Sequence, residues 1–187
     1  MTLRIIDRAT VRRLLTYQAA IPLMREAMMA LSAGRTRQPL RQIVPLSGGR
    51  AFGVMPGASE EAFGAKLISV FPENFVMGRP SHQGGVLLFE PDGGAPAALI
   101  HAGEITAIRT AAASAAATDV LARAGASTLA LLGYGEQALT HARALAHVRP
   151  LREIRVWGRS TERAEELAAA LQAELTTPAR AADTARE

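Results

Sequence analysis

The stretch that decides the fold is residues 128–157, TLALLGYGEQALTHARALAHVRPLREIRVW. It opens with an apolar run at residues 129–132 and ends with a second one at residues 153–157, with a helical pattern between them. Three small residues follow the first run at the spacing G-x-G-x-x-A: Gly133, Gly135 and Ala138. Strand, glycine turn, helix and strand in this order are typical of a parallel α/β unit that binds a dinucleotide. We therefore predict the first part of a doubly wound, Rossmann-type domain.

The glycine turn predicts a phosphate site. Gly133 permits the tight turn, Gly135 lets the backbone approach a pyrophosphate, and Ala138 lets helix and strand pack closely. The start of the helix adds free N–H groups and a partial positive charge, which makes Glu136 and Gln137 further candidates for cofactor contacts. A plain packing turn is the alternative interpretation of the same residues.

The end of the second strand indicates which nicotinamide cofactor fits. An acidic residue there would hydrogen-bond the ribose 2′-hydroxyl of NAD and repel the 2′-phosphate of NADP. The chain instead reads WGRST at residues 157–161, without an acid. A phosphate would meet Arg159, Ser160 and, within the next helical turn, Arg163, while Gly158 would leave it space. NADP(H) is therefore predicted over NAD(H), the alternative being that the two arginines only solvate the start of a helix.

The first hundred residues indicate a mixed sheet with helices. Short β-rich runs separated by turn signals occupy six segments: residues 3–6, 42–46, 51–55, 65–70, 85–90 and 97–101. The sequence PDGG at residues 91–94 predicts a hairpin between the last two. Apolar residues at helical spacing predict a helix that begins after Thr16 and ends at Gly34. We expect a mixed α+β substrate and dimerisation domain at residues 1–125, and an incomplete dinucleotide-binding domain at residues 126–187.

An alanine-rich helix, predicted at residues 104–124 and closed by Gly125, joins the two parts. Its apolar stripe runs through Ile105 and Ala112, and Arg109 lies at the border of that stripe. A guanidinium among small residues suits bidentate recognition of a carboxylate. The alternative is that its aliphatic stem carries the charge to water.

Residues 64–74, GAKLISVFPEN, contain the only lysine of the chain, Lys66, beside twenty arginines elsewhere. An ammonium can lose its proton in a protein, whereas a guanidinium does not, so Lys66 is a candidate for proton chemistry. A general preference for arginine explains the scarcity of lysine as well, and leaves chance as the alternative.

Composition narrows the class of protein. The absence of cysteine excludes a disulfide framework, a thiol nucleophile and a thiolate metal site, and makes the reducing cytoplasm the expected compartment. No metal site and no signal peptide are predicted, and every apolar run is interrupted before the roughly 20 residues that a bilayer requires. The net charge is only +4, the arginines are scattered and aromatic residues make up 4%, so no nucleic-acid partner is expected despite a pI near 10.5.

Five segments in succession carry a resemblance to a known family: FGVMPG at 52–57, GAKLISVFPEN at 64–74, SHQGGVLLFEPDGGAP at 81–96, ITAIRTAAASA at 105–115 and LLGYGEQA at 131–138. Together they resemble the ornithine cyclodeaminase and mu-crystallin family of NAD(P)-dependent oxidoreductases. The resemblance implies a homodimer whose first domains pair, and hydride transfer at the carbon that bears an amino-acid carboxylate. The family that the chain resembles includes cyclodeaminases, alanine dehydrogenases, ketimine reductases and crystallin-like ligand-binding proteins.

The resemblance also implies residue roles. Arg41, Lys66 and Arg109 match the family's clamp for the substrate carboxylate, and Thr110 matches a contact to the cofactor phosphate. Lys66 would also lie near the reacting carbon and stabilise or relay a proton there. His82 is the second catalytic candidate, with a structural role as its alternative.

Two departures from the family pattern matter. Cyclodeaminases resemble one another in an acid on the strand before the MP turn and in HPKN after the lysine block, where this chain has Gly53 and FPEN. The difference favours reduction of a cyclic ketimine such as pyrroline-2-carboxylate. The family's catalytic aspartate is expected beyond residue 187, because only the second strand and helix of the second domain precede that point. Two parallel strands with their helices expose too much apolar surface to be stable alone, so we expect these 187 residues by themselves to be insoluble or inactive.

Overall fold

The computed structural model describes residues 2–186. They form two compact units. The first comprises the chain up to Leu15 together with Glu26–Thr106, and the second comprises Thr16–Arg25 together with the chain from Ala107 onward. By packing, the change of unit falls near residue 106, and the expected domain boundary at residue 125 stays a prediction.

The first unit is built on a six-stranded sheet. Its strands are β1 (Arg4–Ile6), β2 (Gln42–Pro45), β3 (Ala51–Ala58), β4 (Phe63–Val70), β5 (His82–Phe89) and β6 (Pro96–His101). Their order across the sheet is β1-β6-β5-β4-β3-β2, and every neighbouring pair is antiparallel except the parallel pair β1 and β6. All six predicted strands are confirmed. The predicted hairpin joins β5 to β6, and Gly94 supplies the positive φ that its turn requires.

Three α-helices lie within residues 2–125: α1 (Arg8–Leu14), α2 (Tyr17–Ser32) and α3 (Ala102–Leu121). The carboxylate of Asp7 accepts the N–H of Thr10 at the start of α1, and the hydroxyl of Thr16 accepts an N–H at the start of α2. Gly34, at φ 70°, follows the end of α2 as predicted. α1 was not predicted, because seven residues are too few to establish a helical period.

α3 ends at Leu121, three residues before the predicted end. The guanidinium of Arg149 donates hydrogen bonds to carbonyl oxygens in the last turn of α3 and just beyond it, those of Thr118, Asp119 and Ala122, at 2.9, 3.1 and 3.3 Å. These bonds satisfy carbonyl groups that the end of a helix leaves without partners. The chain therefore leaves the helix before it reaches Gly125.

The second unit contains a three-stranded parallel sheet, β7 (Thr128–Leu132), β8 (Glu153–Trp157) and β9 (Ala179–Ala181), in that order. α4 (Glu136–Ala146) follows β7, and α5 (Thr161–Leu175) follows β8. The alternation confirms the predicted Rossmann-type unit. The expectation that the chain stops after the second strand and helix was wrong, because the short β9 pairs with β8. Three residues directly after Pro178 give no alternation from which a strand could be recognised.

The two units differ in how they bury apolar side chains. In the second unit Ile154, Val156 and Leu171 are fully buried among small residues of α4 and α5. In the first unit most strand residues are only half-buried, and β2 exposes all four of its residues. None of the helices within residues 2–186 combines the length and the apolar composition that crossing a bilayer would require.

Candidate functional site

The turn after β7 has the conformation that a phosphate site needs. Gly133 adopts φ 123°, which side chains disfavour, and its N–H donates to the carbonyl of Trp157 at the end of β8 (2.7 Å). Gly135 caps α4, and a Cβ built on it would meet nothing within 4 Å. The space next to Gly135 is therefore open to a ligand.

The first turn of α4 presents backbone amides at the carboxyl end of β7. No side chain caps the helix at Gly135. By helix geometry the backbone amide of Gln137 has no acceptor within the helix, and the side chains of Glu136 and Gln137 are both exposed. Ala138 packs against the apolar core of the unit, as predicted for the third position of the motif. An anion fits this end of α4 because amide donors and the helix dipole both favour negative charge.

The residues after β8 form a basic corner. Arg159 and Arg163 are both exposed. The hydroxyl oxygen of Ser160 accepts the N–H of Arg163 (3.3 Å) and so caps α5. The guanidinium of Arg163 lies over the ring of Tyr134, with Cζ 4.5 Å from the ring centroid. Two guanidiniums and a hydroxyl thus lie at the carboxyl end of β8.

Gly158 lies directly against the ring of Tyr134. A Cβ at this position would lie 2.2 Å from Cε1 of Tyr134. The glycine therefore makes room for an aromatic ring, and its predicted role beside a phosphate stays a prediction. Tyr134 was missed by the sequence analysis, although it stands between the two glycines of the motif.

Thr110 carries an unpaired polar atom. Its hydroxyl oxygen is buried and has no hydrogen-bond partner within residues 2–186. A buried hydroxyl without a partner is costly, and a bound phosphate oxygen would satisfy it. The neighbouring Arg109 is exposed. Ile108 and Ala112 beside it are buried, and the role of Arg109 in binding a carboxylate stays a prediction.

Lys66 lies in the middle of the six-stranded sheet. On β4 it pairs with Met55 of β3 and Val86 of β5, and its side chain is partly buried. Its Nζ donates to the hydroxyl oxygen of Thr106 in α3 at 3.4 Å. Thr106 was not identified from the sequence. Its position three residues before Arg109, on the same side of a helix, could have indicated it.

Arg41 and His82 lie at different distances from Lys66. Arg41 directly precedes Gln42, whose partner is Val54. Continuing that register by one residue brings Arg41 opposite Met55, the strand partner of Lys66. Arg41 therefore lies two strand spacings, about 10 Å, from Lys66.

His82 pairs with the last residue of β4. It therefore lies about 13 Å along the strand from the row of Lys66. His82 is exposed and contacts the hydroxyl of Ser81 (3.0 Å). The structure thus does not bring the two catalytic candidates together.

A buried carboxylate anchors the first turn of α3. Glu104 is 5% exposed, and its oxygens accept hydrogen bonds from Nε of Arg8 and Nε of Arg12, each at 2.9 Å. Its backbone N–H donates to Nδ1 of His101 (3.1 Å). Burial raises the pKa of Glu104, but the hydrogen bonds from Arg12 and Arg8 outweigh it and hold the pKa below its usual value. Glu104 therefore stays ionised and fixes the turn that carries Thr106.

Metal chemistry has no ready ligands in the described residues. Within residues 2–186 no group of three or more histidine, aspartate or glutamate side chains is arranged to hold an ion. The arrangement instead offers donors to anions: backbone amides, hydroxyls and guanidiniums. Such a donor set fits the phosphates of a dinucleotide and the carboxylate of a small acid.

Known proteins resemble this chain in both sequence and structure. A family model described as the ornithine cyclodeaminase/mu-crystallin family matches residues 3–187. Ketimine reductase mu-crystallin of Mus musculus is 39% identical over 145 residues, which cover 76% of the chain and 46% of that protein. Delta(1)-pyrroline-2-carboxylate reductase of Bacillus cereus is 35% identical over 171 residues, which cover 90% of the chain and 53% of that protein.

One similar solved structure is Thermococcus litoralis Delta(1)-pyrroline-2-carboxylate reductase in complex with NADH and L-proline. It superposes with a TM-score of 0.92 at 30% identity, covering 98% of the chain and 58% of that protein. The chain spans about half the length of the curated relatives that it matches.

Proposed function

The chain belongs to the ornithine cyclodeaminase/mu-crystallin family, and from this membership we propose that the whole protein is an NAD(P)H-dependent reductase of a cyclic ketimine such as pyrroline-2-carboxylate. The reaction adds a hydride to the C=N carbon that carries the carboxylate and a proton to the ring nitrogen. The product is the corresponding cyclic amino acid.

The observation that carries the proposal is the likeness to a reductase whose structure holds NADH together with L-proline. L-Proline is what the reduction of pyrroline-2-carboxylate produces. The likeness extends over nearly the whole chain, so it includes both the sheet that carries Lys66 and the glycine turn. Similar surroundings for substrate and cofactor support the same class of reaction.

Three cationic side chains are proposed to hold the substrate carboxylate: Arg41, Lys66 and Arg109. A guanidinium binds a carboxylate through two parallel N–H bonds and so fixes its orientation. Lys66 has the further task of giving a proton to the ring nitrogen as the imine becomes an amine. The hydroxyl of Thr106, which accepts a hydrogen bond from Nζ, orients the ammonium for this transfer. His82 stays a second candidate for proton transfer by the resemblance alone.

The residues present fit a nicotinamide dinucleotide. The hydroxyl of Thr110 and the amides of Glu136 and Gln137 would donate to its phosphates, with Gly133 and Gly135 leaving the backbone accessible. When bound, the cofactor supplies the hydride. We propose NADP(H) as the preferred form, because Arg159, Ser160 and Arg163 would meet a 2′-phosphate, and NAD(H) as the alternative.

Gly53 favours imine reduction over ornithine cyclisation. Cyclodeaminases resemble one another in an acid on this strand. In this chain a Cβ at Gly53 would lie 3.0 Å from a side-chain carbon of Ile68 and 3.2 Å from one of Ile43. An acidic side chain would therefore require both isoleucines to move, and its charge would be among apolar groups.

The test of the proposed function is an assay of the intact protein that follows NADPH absorbance. We expect consumption with pyrroline-2-carboxylate and with piperideine-2-carboxylate. Consumption with pyruvate and ammonia alone would indicate an alanine dehydrogenase instead. Ammonia released from ornithine with catalytic NAD would indicate a cyclodeaminase. Tight binding of the imine without turnover would indicate a crystallin-like ligand-binding protein.

Cofactor preference has its own test. Replacing Arg159 by Ala should raise the KM for NADPH by about tenfold, because a charge-assisted hydrogen bond is lost. The KM for NADH should stay the same. Arg152→Ala is a suitable control, since Arg152 is another exposed arginine of this unit. Equal KM values for both cofactors in the unaltered protein would contradict the NADP(H) preference.

We also propose that the protein acts as a homodimer in the reducing cytoplasm, with a small imino acid as its partner and no nucleic acid. The resemblance supports pairing through the first domains, and the absence of cysteine suits a reducing compartment. Light scattering of the intact protein should give twice the monomer mass. A mass of one subunit would contradict the dimer.

A further inference from the structure

An aromatic ring lies beneath one of the two arginines at the basic corner. The guanidinium carbon of Arg163 is 4.5 Å from the ring centroid of Tyr134, within the range of a cation–π contact. Arg163 is exposed, and a free arginine side chain loses much rotamer freedom when it binds an anion. The ring restricts Arg163 before any anion arrives.

The ring is itself fixed against the end of β8. The position that a side chain at residue 158 would occupy is filled by the edge of Tyr134, and only glycine allows this approach. A turn that served packing alone would need neither an aromatic residue between its glycines nor a glycine opposite it. Gly158 and Tyr134 therefore form a matched pair.

The pair lies where a cofactor's ribose is expected. Gly158 immediately precedes Arg159 and Ser160, and Ser160 caps the helix turn that carries Arg163. In doubly wound folds the end of the second strand meets the adenosine ribose and decides between a hydroxyl and a phosphate at its 2′ position. All these groups belong to the second packing unit.

We propose that Tyr134 is a positioning residue for cofactor choice: its ring holds the guanidinium of Arg163 in place for the 2′-phosphate of NADP(H). The inference rests on the proposed NADP(H) preference and deepens it. A cation held over a ring binds an anion with less loss of side-chain entropy than a free one. Tyr134 thus acts on the 2′-phosphate through Arg163, and leaves the remainder of the nucleotide unaffected.

The test is nucleotide binding to the intact protein, which does not depend on any reductase activity. The two probes are 2′,5′-ADP, which carries the 2′-phosphate, and 5′-AMP, which lacks it. Replacing Tyr134 by Leu should weaken 2′,5′-ADP by about two- to fivefold, the worth of an exposed cation–π contact, and leave 5′-AMP unchanged. Tyr134→Phe keeps the ring and should bind both probes like the unaltered protein.

A second variant separates positioning from general damage. Arg163→Met should weaken 2′,5′-ADP by about tenfold, as expected for the loss of a charge-assisted hydrogen bond. Adding Tyr134→Leu to Arg163→Met should cause no further loss, because the ring acts through the arginine. Fully multiplicative losses in the double variant would overturn the inference.

Other outcomes are equally decisive. Equal weakening of both probes by Tyr134→Leu would make Tyr134 a structural part of the turn. A loss in Tyr134→Phe as large as in Tyr134→Leu would assign the effect to the hydroxyl. If the unaltered protein binds both probes equally, the NADP(H) preference fails, and this inference fails with it. If the unaltered protein prefers 2′,5′-ADP but Tyr134→Leu does not weaken its binding, the inference about Tyr134 fails while the NADP(H) preference stands.

Discussion

The three-stranded sheet and the six-stranded sheet differ in how completely they bury their side chains and in where their candidate functional groups lie. On β8, Ile154 and Val156 are completely buried, and the alanines of α4 and α5 pack closely around them. On β4, residues 64–70 are only half-buried, and the strand carries Lys66 in its centre. The second unit keeps its candidate binding groups at the edge of the sheet, outside the core. The first unit places its candidate catalytic group within the sheet itself, where burial is incomplete.

The largest expected effect tests the core of the second unit. Leu171→Ala should lower the free energy of unfolding by about 2–5 kcal/mol, because it opens a cavity among fully buried residues. Ile43→Ala is the matched change in the first unit, where the side chain is 49% exposed. It should cost less than about 1 kcal/mol. Urea denaturation measures both, and equal losses would remove the contrast between the sheets.

The next effect concerns chemistry in the first unit. Lys66→Met should lower kcat/KM for the imine by about a hundredfold or more, because proton transfer and a carboxylate contact are lost together. The free energy of unfolding should change little, since the side chain is only partly buried. Lys66→Arg keeps the charge and should restore KM more than kcat. Full kcat in the arginine variant would exclude Lys66 as the proton donor.

The buried carboxylate of the first unit gives a pH-dependent effect. Because the pKa of Glu104 is held below its usual value, its ion pairs contribute stability above pH 4.5, and this contribution is lost as pH falls through the lowered pKa. Glu104→Gln should cost about 1–2 kcal/mol at neutral pH, a value discounted because both arginines are exposed to solvent. Denaturation at a series of pH values should show the two proteins converging in acid. Glu73→Gln, which alters a more exposed ion pair with Arg50, should have a smaller effect.

The smallest effect tests the contact between Lys66 and Thr106. Thr106→Val has nearly the same shape and removes the hydroxyl that accepts the hydrogen bond from Nζ. It should lower kcat by about threefold, the worth of one ordinary hydrogen bond at the weaker end of its range. Thr106→Ser should retain the activity. An unchanged kcat in the valine variant would show that the ammonium is oriented by other groups.

Local spacing allowed the second unit to be predicted in most of its detail. The turn at Gly133, the cap at Gly135 and the strand β8 follow from residues within thirty positions of one another, where backbone sterics and helix geometry leave few choices. β9 was not predicted, because this strand is defined by its pairing with β8 and not by a sequence pattern of its own. The contact between Gly158 and Tyr134 was not predicted either, since the ring stands more than twenty residues earlier in the chain.

The first unit was predictable in its strands but not in its contacts. Glu104 is bound by two arginines more than ninety residues earlier, and no periodicity indicates such a pairing. The sequence left the orientation of Arg109 open, because alanines surround α3 on most sides and define no clear polar face. Lys66 could be singled out because its rarity is visible in the sequence, whereas its partner Thr106 required the structure.

The solitary amine has a practical consequence. Reagents that acylate or methylate primary amines find a single side chain to modify among these 187 residues, half-shielded beside a threonine hydroxyl. Reductive methylation with ¹³C-formaldehyde would thus attach labelled methyl groups to this side chain, at the centre of the proposed chemistry, as well as to the N-terminal amine. The NMR signal of these methyl groups would report titration and ligand arrival directly at that nitrogen.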